Sequence, residues 1–230
     1  MKRKNKIAVF DIDGTIFRET LIIELMKSLI YWKVFPRKAK KEIEGEYFAW
    51  VDHKGTYQTY IDEVLRVYKK YIKGCRKKDV VQILKKDVIP YFKDRIYIYT
   101  TNLVKKLRKT HILVSISGSP QEAVTEYNRY LKFDQAFGTV FEISSRGKYT
   151  GKIILDAAKE KDRILKDFIK QNNLSLEGSW GIGDSHVDIG FLEMVEHPIV
   201  FNPSVDLYRV AKRKKWKIMV EKKDTIYRIK

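Results

Sequence analysis

Residues 7–10 (IAVF) form an unbroken apolar run that stops abruptly at Asp11-Ile12-Asp13-Gly14. A short run with no polar alternation is the pattern of a strand buried on both faces. From 17 to 32 the period changes. Leu21, Ile22, Leu25, Met26, Leu29 and Ile30 recur at helical spacing and make a broad apolar stripe. Pro36 ends that helix or begins the next. From about 37 to 90 every clear pattern is helical, as in KKEIEGEYFAWV, TYIDEVLRVYKKYI and KKDVVQILKKDVIPYF. The segment 96–109 is amphipathic, and HILVSIS at 111–117 predicts a second buried strand. A helix over 121–131 is opened by Pro120, a residue suited to a first turn. Apolar pieces at 137–143 and 149–151 flank Arg146-Gly147 and predict a hairpin. Beyond it the pattern predicts a helix over 157–171, closed by Asn172-Asn173, and a strand over 179–183. A helix over 187–195, a strand over 198–201, a helix over 206–213 and a last strand over 217–220 follow.

Strands alternating with helices imply a parallel sheet with helices on both faces. The expected fold is α/β, a doubly wound parallel sheet with an inserted all-helical cap. Residues 1–16 and 91–230 would form the α/β core and residues 17–90 the cap, which suits a length of 230 residues. With 44% hydrophobic residues, 12 Gly and 5 Pro, the composition calls for a folded core rather than disorder. Tyr47, Phe48, Trp50, Tyr57 and Tyr60, inside the helical block, read as core, with stacking against a substrate as the alternative. No apolar run is long enough to span a bilayer. The basic start MKRKNK leads straight into a strand ending in acids, not into a signal-peptide core. The single cysteine, Cys75, can form no internal disulfide and fits a reducing cytoplasm.

Charge adds a second theme. Lys and Arg number 47 against 29 acids, a formal net charge of +18. Such a field attracts anions and permits nonspecific binding of nucleic acid or an anionic surface. The densest patches are 33–41 and 212–217, but no zinc spacing or RNP-like run accompanies them. A solvated, thermally robust Lys-rich surface is the plainer account of them and is preferred to a dedicated nucleic-acid site.

The chemistry lies in the acids. Residues two apart on a strand point the same way, so Asp11 and Asp13 would enter one site. Two carboxylates that close repel unless a cation lies between them. Asp184 also follows an apolar strand, and Asp188 lies four residues later on the next helical turn. Either could instead cap that helix. Ser117-Gly118 ends a strand before a helix, where a hydroxyl and backbone N–H groups suit phosphate oxygens.

The stretch KIAVFDIDGT resembles the first motif of the haloacid dehalogenase superfamily, Asp-x-Asp-Gly-Thr. ILVSISGSP at 112–120, Lys161 within KEKDRIL, and GIGDSHVD at 181–188 follow in that superfamily's order. The helical block after the first strand resembles the phosphoserine phosphatase-like branch. The resemblance implies a Mg²⁺-dependent hydrolase of phosphate monoesters, working through an aspartyl-phosphate on Asp11 with Asp13 as general acid and base. It implies metal ligation by Asp11, the Asp13 carbonyl, Asp184, and Asp188 directly or through water. Thr15, Ser117, Gly118 and Lys161 would contact the phosphoryl group of a small phosphorylated metabolite. Lys152 and Lys159 are alternatives to Lys161. Asn202 is a possible helper, and Glu19 lies one residue off the branch's acidic substrate position. Ser117-Gly118-Ser119 departs from that branch's Ser-Gly-Gly. His186 reads as a surface group and Cys75 as inert. The same motifs permit phosphotransfer to another acceptor, and a binding protein using the +18 charge is the rival from outside enzymology.

Overall fold

A computed structural model describes residues 5–229; the first four residues of the basic start and Lys230 lie outside the described residues. Strand β1 (Lys6–Phe10) is central, and its four apolar residues are fully buried. It pairs in parallel with β2 (His111–Pro120) on one side and β5 (Ser175–Gly183) on the other. Around them lie β3 (Gln135–Ile143), β4 (Tyr149–Leu155), β6 (His197–Phe201), β7 (Lys217–Lys222) and β8 (Thr225–Ile229). The sheet runs β4-β3-β2-β1-β5-β6-β7-β8, parallel from β3 to β7 and antiparallel at both outer strands. Strand β8 was not expected from the sequence. Its residues are exposed on the outermost strand, so no buried stripe marks it.

The two sides of β1 feed different layers. Ile7 and Val9 join Val114, Ile116 and the apolar faces of α8 (Lys161–Asn172), α9 (Ile189–Leu192) and α10 (Val205–Lys214). Ala8 and Phe10 join Leu113, Ile182 and Phe201 against Val104 and Leu107 of α6 (Ile98–Leu107). Helices on both faces of a mainly parallel sheet make this a doubly wound α/β fold.

Between β1 and β2 the chain is helical: α1 (Leu21–Tyr31), α2 (Lys38–Val51), α3 (Tyr57–Ile72), α4 (Lys77–Ile83), a π-helical stretch Leu84–Val88, and α5 (Ile89–Phe92). Their apolar stripes share one cluster with Ala123, Val124 and Tyr127 of α7 (Gln121–Leu131) and Phe141 and Tyr149 of the β3–β4 hairpin. Gly74 N–H donates to the Tyr149 carbonyl and Tyr149 N–H to that of Cys75, so hairpin and helices are joined by backbone as well.

Three expectations are corrected. Of the five aromatic residues assigned to the core, only Tyr60 is buried; Tyr47, Phe48, Trp50 and Tyr57 are 36–56% exposed. Their rings cluster at the turn joining α2 to α3, where no further layer covers them. The helix expected from 157 begins at Lys161, because Lys159 N–H turns back to the Asp156 carbonyl and Asp156 N–H to the Glu160 carboxylate. The helix expected over 187–195 is a 3₁₀ turn, His186–Asp188, followed by the four residues of α9.

Candidate active site

The site forms where β1, β2 and β5 end. Asp11 follows β1, and its N–H donates to the Ile182 carbonyl of β5. The chain then turns sharply at Gly14, whose φ is +76°. A Cβ there would stand 2.2 Å from Asp184 Oδ2, so the turn needs glycine both for its backbone and for room beside that carboxylate. Gly183 has a similar role beneath Asp188: a Cβ would lie 2.5 Å from the Asp188 Cγ.

Lys161, at the start of α8, is 2% exposed and reaches inward. Its ammonium donates to Asp11 Oδ1 and Asp188 Oδ1, each at 2.6 Å. Lys152 and Lys159 instead pair with Glu142 and Asp156 on the exposed surface. Among these three lysines, the fold brings Lys161 alone to Asp11. The second Asp188 oxygen accepts the N–H groups of Asp184 and Ser185, at 2.9 and 3.0 Å. Asp188 therefore caps its own turn, as one of the two readings open in the sequence expects, and grips the lysine at once.

Asp13 has different neighbours. Its Oδ1 accepts the Leu21 N–H at 2.6 Å, and its Oδ2 accepts the hydroxyls of Ser117 at 2.5 Å and Ser119 at 2.8 Å. Ser119 in turn accepts the Ile22 N–H at 3.2 Å. The first turn of α1 is thus capped by residues from β1's loop and β2, while its own Thr20 makes no cap bond. Ser119 was visible in the sequence only as a departure from a familiar motif; its bond to Asp13 depends on how β2 ends beside the loop.

The remaining candidates are placed as follows. Thr15 is fully buried; its carbonyl accepts from Thr100 and its own hydroxyl has no partner among the described residues. Gly118 lets the strand end approach Ala158, where a Cβ would be 3.0 Å away, and its carbonyl accepts from Thr139. Asn202 accepts the Glu221 N–H, which joins two strand ends rather than reaching the acids. Glu19 lies 3.8 Å from Arg95, His186 is exposed, and Cys75 donates to the Tyr71 carbonyl.

Burial sets the electrostatics. It pushes Asp11 up to about 7, with Asp188 and Asp13 adding to the rise and Lys161 opposing it. Asp13 is also raised by burial, against the lowering effect of its three donors. Asp184 is raised well above the usual carboxylate range by burial and by Asp11 and Asp188. For Lys161 burial works downward, but Asp11 and Asp188 outweigh it and hold the ammonium above its ordinary value. Asp11, Asp184 and Asp188 each offer an oxygen, all within 4.8 Å of one another. Excess buried negative charge, presented through hard oxygen donors, fits a hard divalent cation. Since both Asp188 oxygens are engaged, Asp11 and Asp184 are the carboxylates freest to hold it.

A family model for haloacid dehalogenase-like hydrolases matches residues 8–193, from within β1 through α9. The chain belongs to that family. It is 26% identical over 213 residues to a phosphoserine phosphatase of Archaeoglobus fulgidus. That match covers 91% of this chain and 56% of the relative, so the chain spans little more than half of the archaeal protein. It is 23% identical over 223 residues to a histidinol-phosphatase of Neisseria meningitidis serogroup C, covering 93% and 97% of the two. A Bordetella pertussis Tohama I protein of unknown function shares the fold at TM-score 0.72 and 18% identity, over 94% and 98% of the two chains. A phospho-aspartyl intermediate analogue of phosphoserine phosphatase does so at TM-score 0.63 and 21% identity, over 96% of each chain. No helix among the described residues is long and apolar enough to cross a membrane.

Proposed function

We propose that this hydrolase is a Mg²⁺-dependent phosphatase that cleaves a small phosphate monoester through an aspartyl-phosphate on Asp11, with Asp13 as acid and base. The observation that carries this reading is the contrast between two neighbouring carboxylates. Asp11 is held by a cation, Lys161, whereas Asp13 is held by hydroxyl and amide donors. Paired carboxylates in different surroundings take different roles: one attacks and the other carries a proton.

Asp11 Oδ1 is bound by Lys161, and no hydrogen bond to its second oxygen is found among the described residues. That second oxygen is the nucleophile. It attacks phosphorus and forms an acyl-phosphate as the alcohol leaves, taking a proton from Asp13. Asp13 then takes a proton from water, which attacks the same phosphorus and frees Asp11 and inorganic phosphate. For this work Asp13 exchanges its present donors for the ester oxygen and then for water. Asp11, Asp184 and the Asp13 carbonyl would hold Mg²⁺, while Asp188 fixes Lys161 and the Asp184–Ser185 backbone. When bound, Mg²⁺ offsets the negative charge of carboxylate and phosphoryl oxygens as they approach. Lys161, Ser117, Gly118 and Thr15 would accommodate the phosphoryl group. Residues 17–90 would act as a cap that selects substrate, with 1–16 and 91–230 supplying the chemistry. The phosphatase names of the archaeal and neisserial relatives support the reaction class.

The test is release of inorganic phosphate from small phosphate esters. Turnover with Mg²⁺, its loss in EDTA and its near-total loss in Asp11→Asn are expected. Full activity in chelator, or in Asp11→Asn, would overturn the reading.

A further inference from the structure

The turn between α2 and α3 carries an unusual concentration of rings. Tyr47, Phe48 and Trp50 lie on the last turns of α2, and Tyr57 and Tyr60 on the first turn of α3. Trp50 stacks on Tyr60 with 5.9 Å between ring centroids and 4° between planes, and it stands 5.0 Å from Tyr57. Tyr47 meets Tyr60 edge-on at 5.5 Å. Mutually packed rings normally close a core, yet four of these five remain open to solvent.

One end of the patch joins the acid site. The Tyr57 hydroxyl is 2.7 Å from Thr20 Oγ1, and the next residue, Leu21, donates its N–H to Asp13. Beyond burial and ring neighbours, the charges acting on these phenols are acidic: Asp184 and Asp13 on Tyr57, Glu24 and Glu19 on Tyr60. In a chain with 47 Lys and Arg this is a selective absence. Cations rest over Tyr71, Phe92, Tyr97, Tyr99, Tyr130 and Trp216. Among the described residues none rests over the five rings of the patch.

We propose that this aromatic patch binds the alcohol portion of the phosphate ester and selects one that ends in an alkylated ammonium group. The inference rests on the phosphatase reading above. Ring faces attract cations, and alkyl groups on nitrogen spread the charge and cover apolar ring surface. A primary ammonium would want a free carboxylate instead. Glu24 is already bound to Lys27 at 2.7 Å and Glu19 stands 3.8 Å from Arg95, so at the end of the patch beside the acid site ring face is what remains.

The experiment compares kcat/KM of the full chain with Mg²⁺ on three esters. They are phosphocholine, its uncharged isostere neohexyl phosphate, in which carbon replaces nitrogen, and methyl phosphate. Phosphocholine should lead neohexyl phosphate by roughly 3- to 30-fold, mainly through KM. Trp50→Leu and, independently, Tyr47→Leu should reduce that lead and Trp50→Phe should retain most of it, with methyl phosphate turnover of each variant as the measure of any general loss. Equal rates on phosphocholine and neohexyl phosphate, or a lead untouched by both leucine variants, would overturn the inference while leaving the phosphatase reading intact. No turnover of any ester by the unaltered chain would remove the phosphatase reading itself, and this inference with it.

Discussion

Asp188 holds Lys161 at 2.6 Å with one carboxylate oxygen while its other oxygen ties down the backbone of Asp184 and Ser185. The lysine, so anchored, presents the rest of its charge to Asp11. Removing it leaves two buried carboxylates facing each other without their cation. Lys161→Met should therefore lower stability by about 3–5 kcal/mol in metal-free protein near pH 8. The loss should shrink near pH 5, where Asp11 can take a proton instead. Urea unfolding at the two pH values measures this, and an equal loss at both would show that the ion pair is not the cause.

Asp11 and Asp13 should separate in a trapping experiment. An amide at position 13 leaves the nucleophile but removes the proton carrier, a loss of roughly 10²–10⁴-fold on each step it serves. With p-nitrophenyl phosphate, whose leaving group needs little protonation, the second step becomes limiting. Asp13→Asn should accumulate one phosphoryl group on Asp11, visible by mass spectrometry, and Asp11→Asn should show none. Label on Ser117 or His186 would contradict the mechanism.

The pH dependence has a definite sign. Between the ordinary value of 3.8 and about 7, folded metal-free protein keeps on Asp11 a proton that the unfolded chain has released. The native state then binds more protons, so stability falls as pH rises through that window. A divalent cation prefers the ionised carboxylates. The rise in Tm on adding Mg²⁺ should accordingly be larger at pH 7.5 than at pH 5, as differential scanning fluorimetry can show.

Gly14→Ala tests the geometry beside Asp184. The left-handed backbone alone should cost roughly 1–2 kcal/mol, and the new Cβ, 2.2 Å from Asp184 Oδ2, should displace that carboxylate. Calorimetric Mg²⁺ affinity is expected to drop sharply, with activity lost in parallel. Unchanged affinity would place the cation elsewhere.

Local pattern accounts for much of this protein. The apolar run before Asp11 is a central strand because burial on both faces tolerates no polar residue. The helical periods between residues 17 and 90 are real because each helix presents one stripe to a shared core, and α7 spans Gln121–Leu131 as its spacing predicts. Asp11, Asp13 and Asp184 could be singled out because each ends or follows an apolar strand in a chain otherwise rich in lysine. What the sequence could not show are the contacts between distant segments. Lys161 is distinguished from Lys152 and Lys159 by reaching a residue 150 positions away. Helix α1 is capped by Asp13 and by Ser119, and α6 by the Glu221 carboxylate across from β7, so neither start carries its own signal. The rings near Trp50 look like core because composition reports hydrophobicity, whereas exposure depends on which layers meet. Periodicity records the environment of one element; the partner of a side chain is decided only when the elements pack.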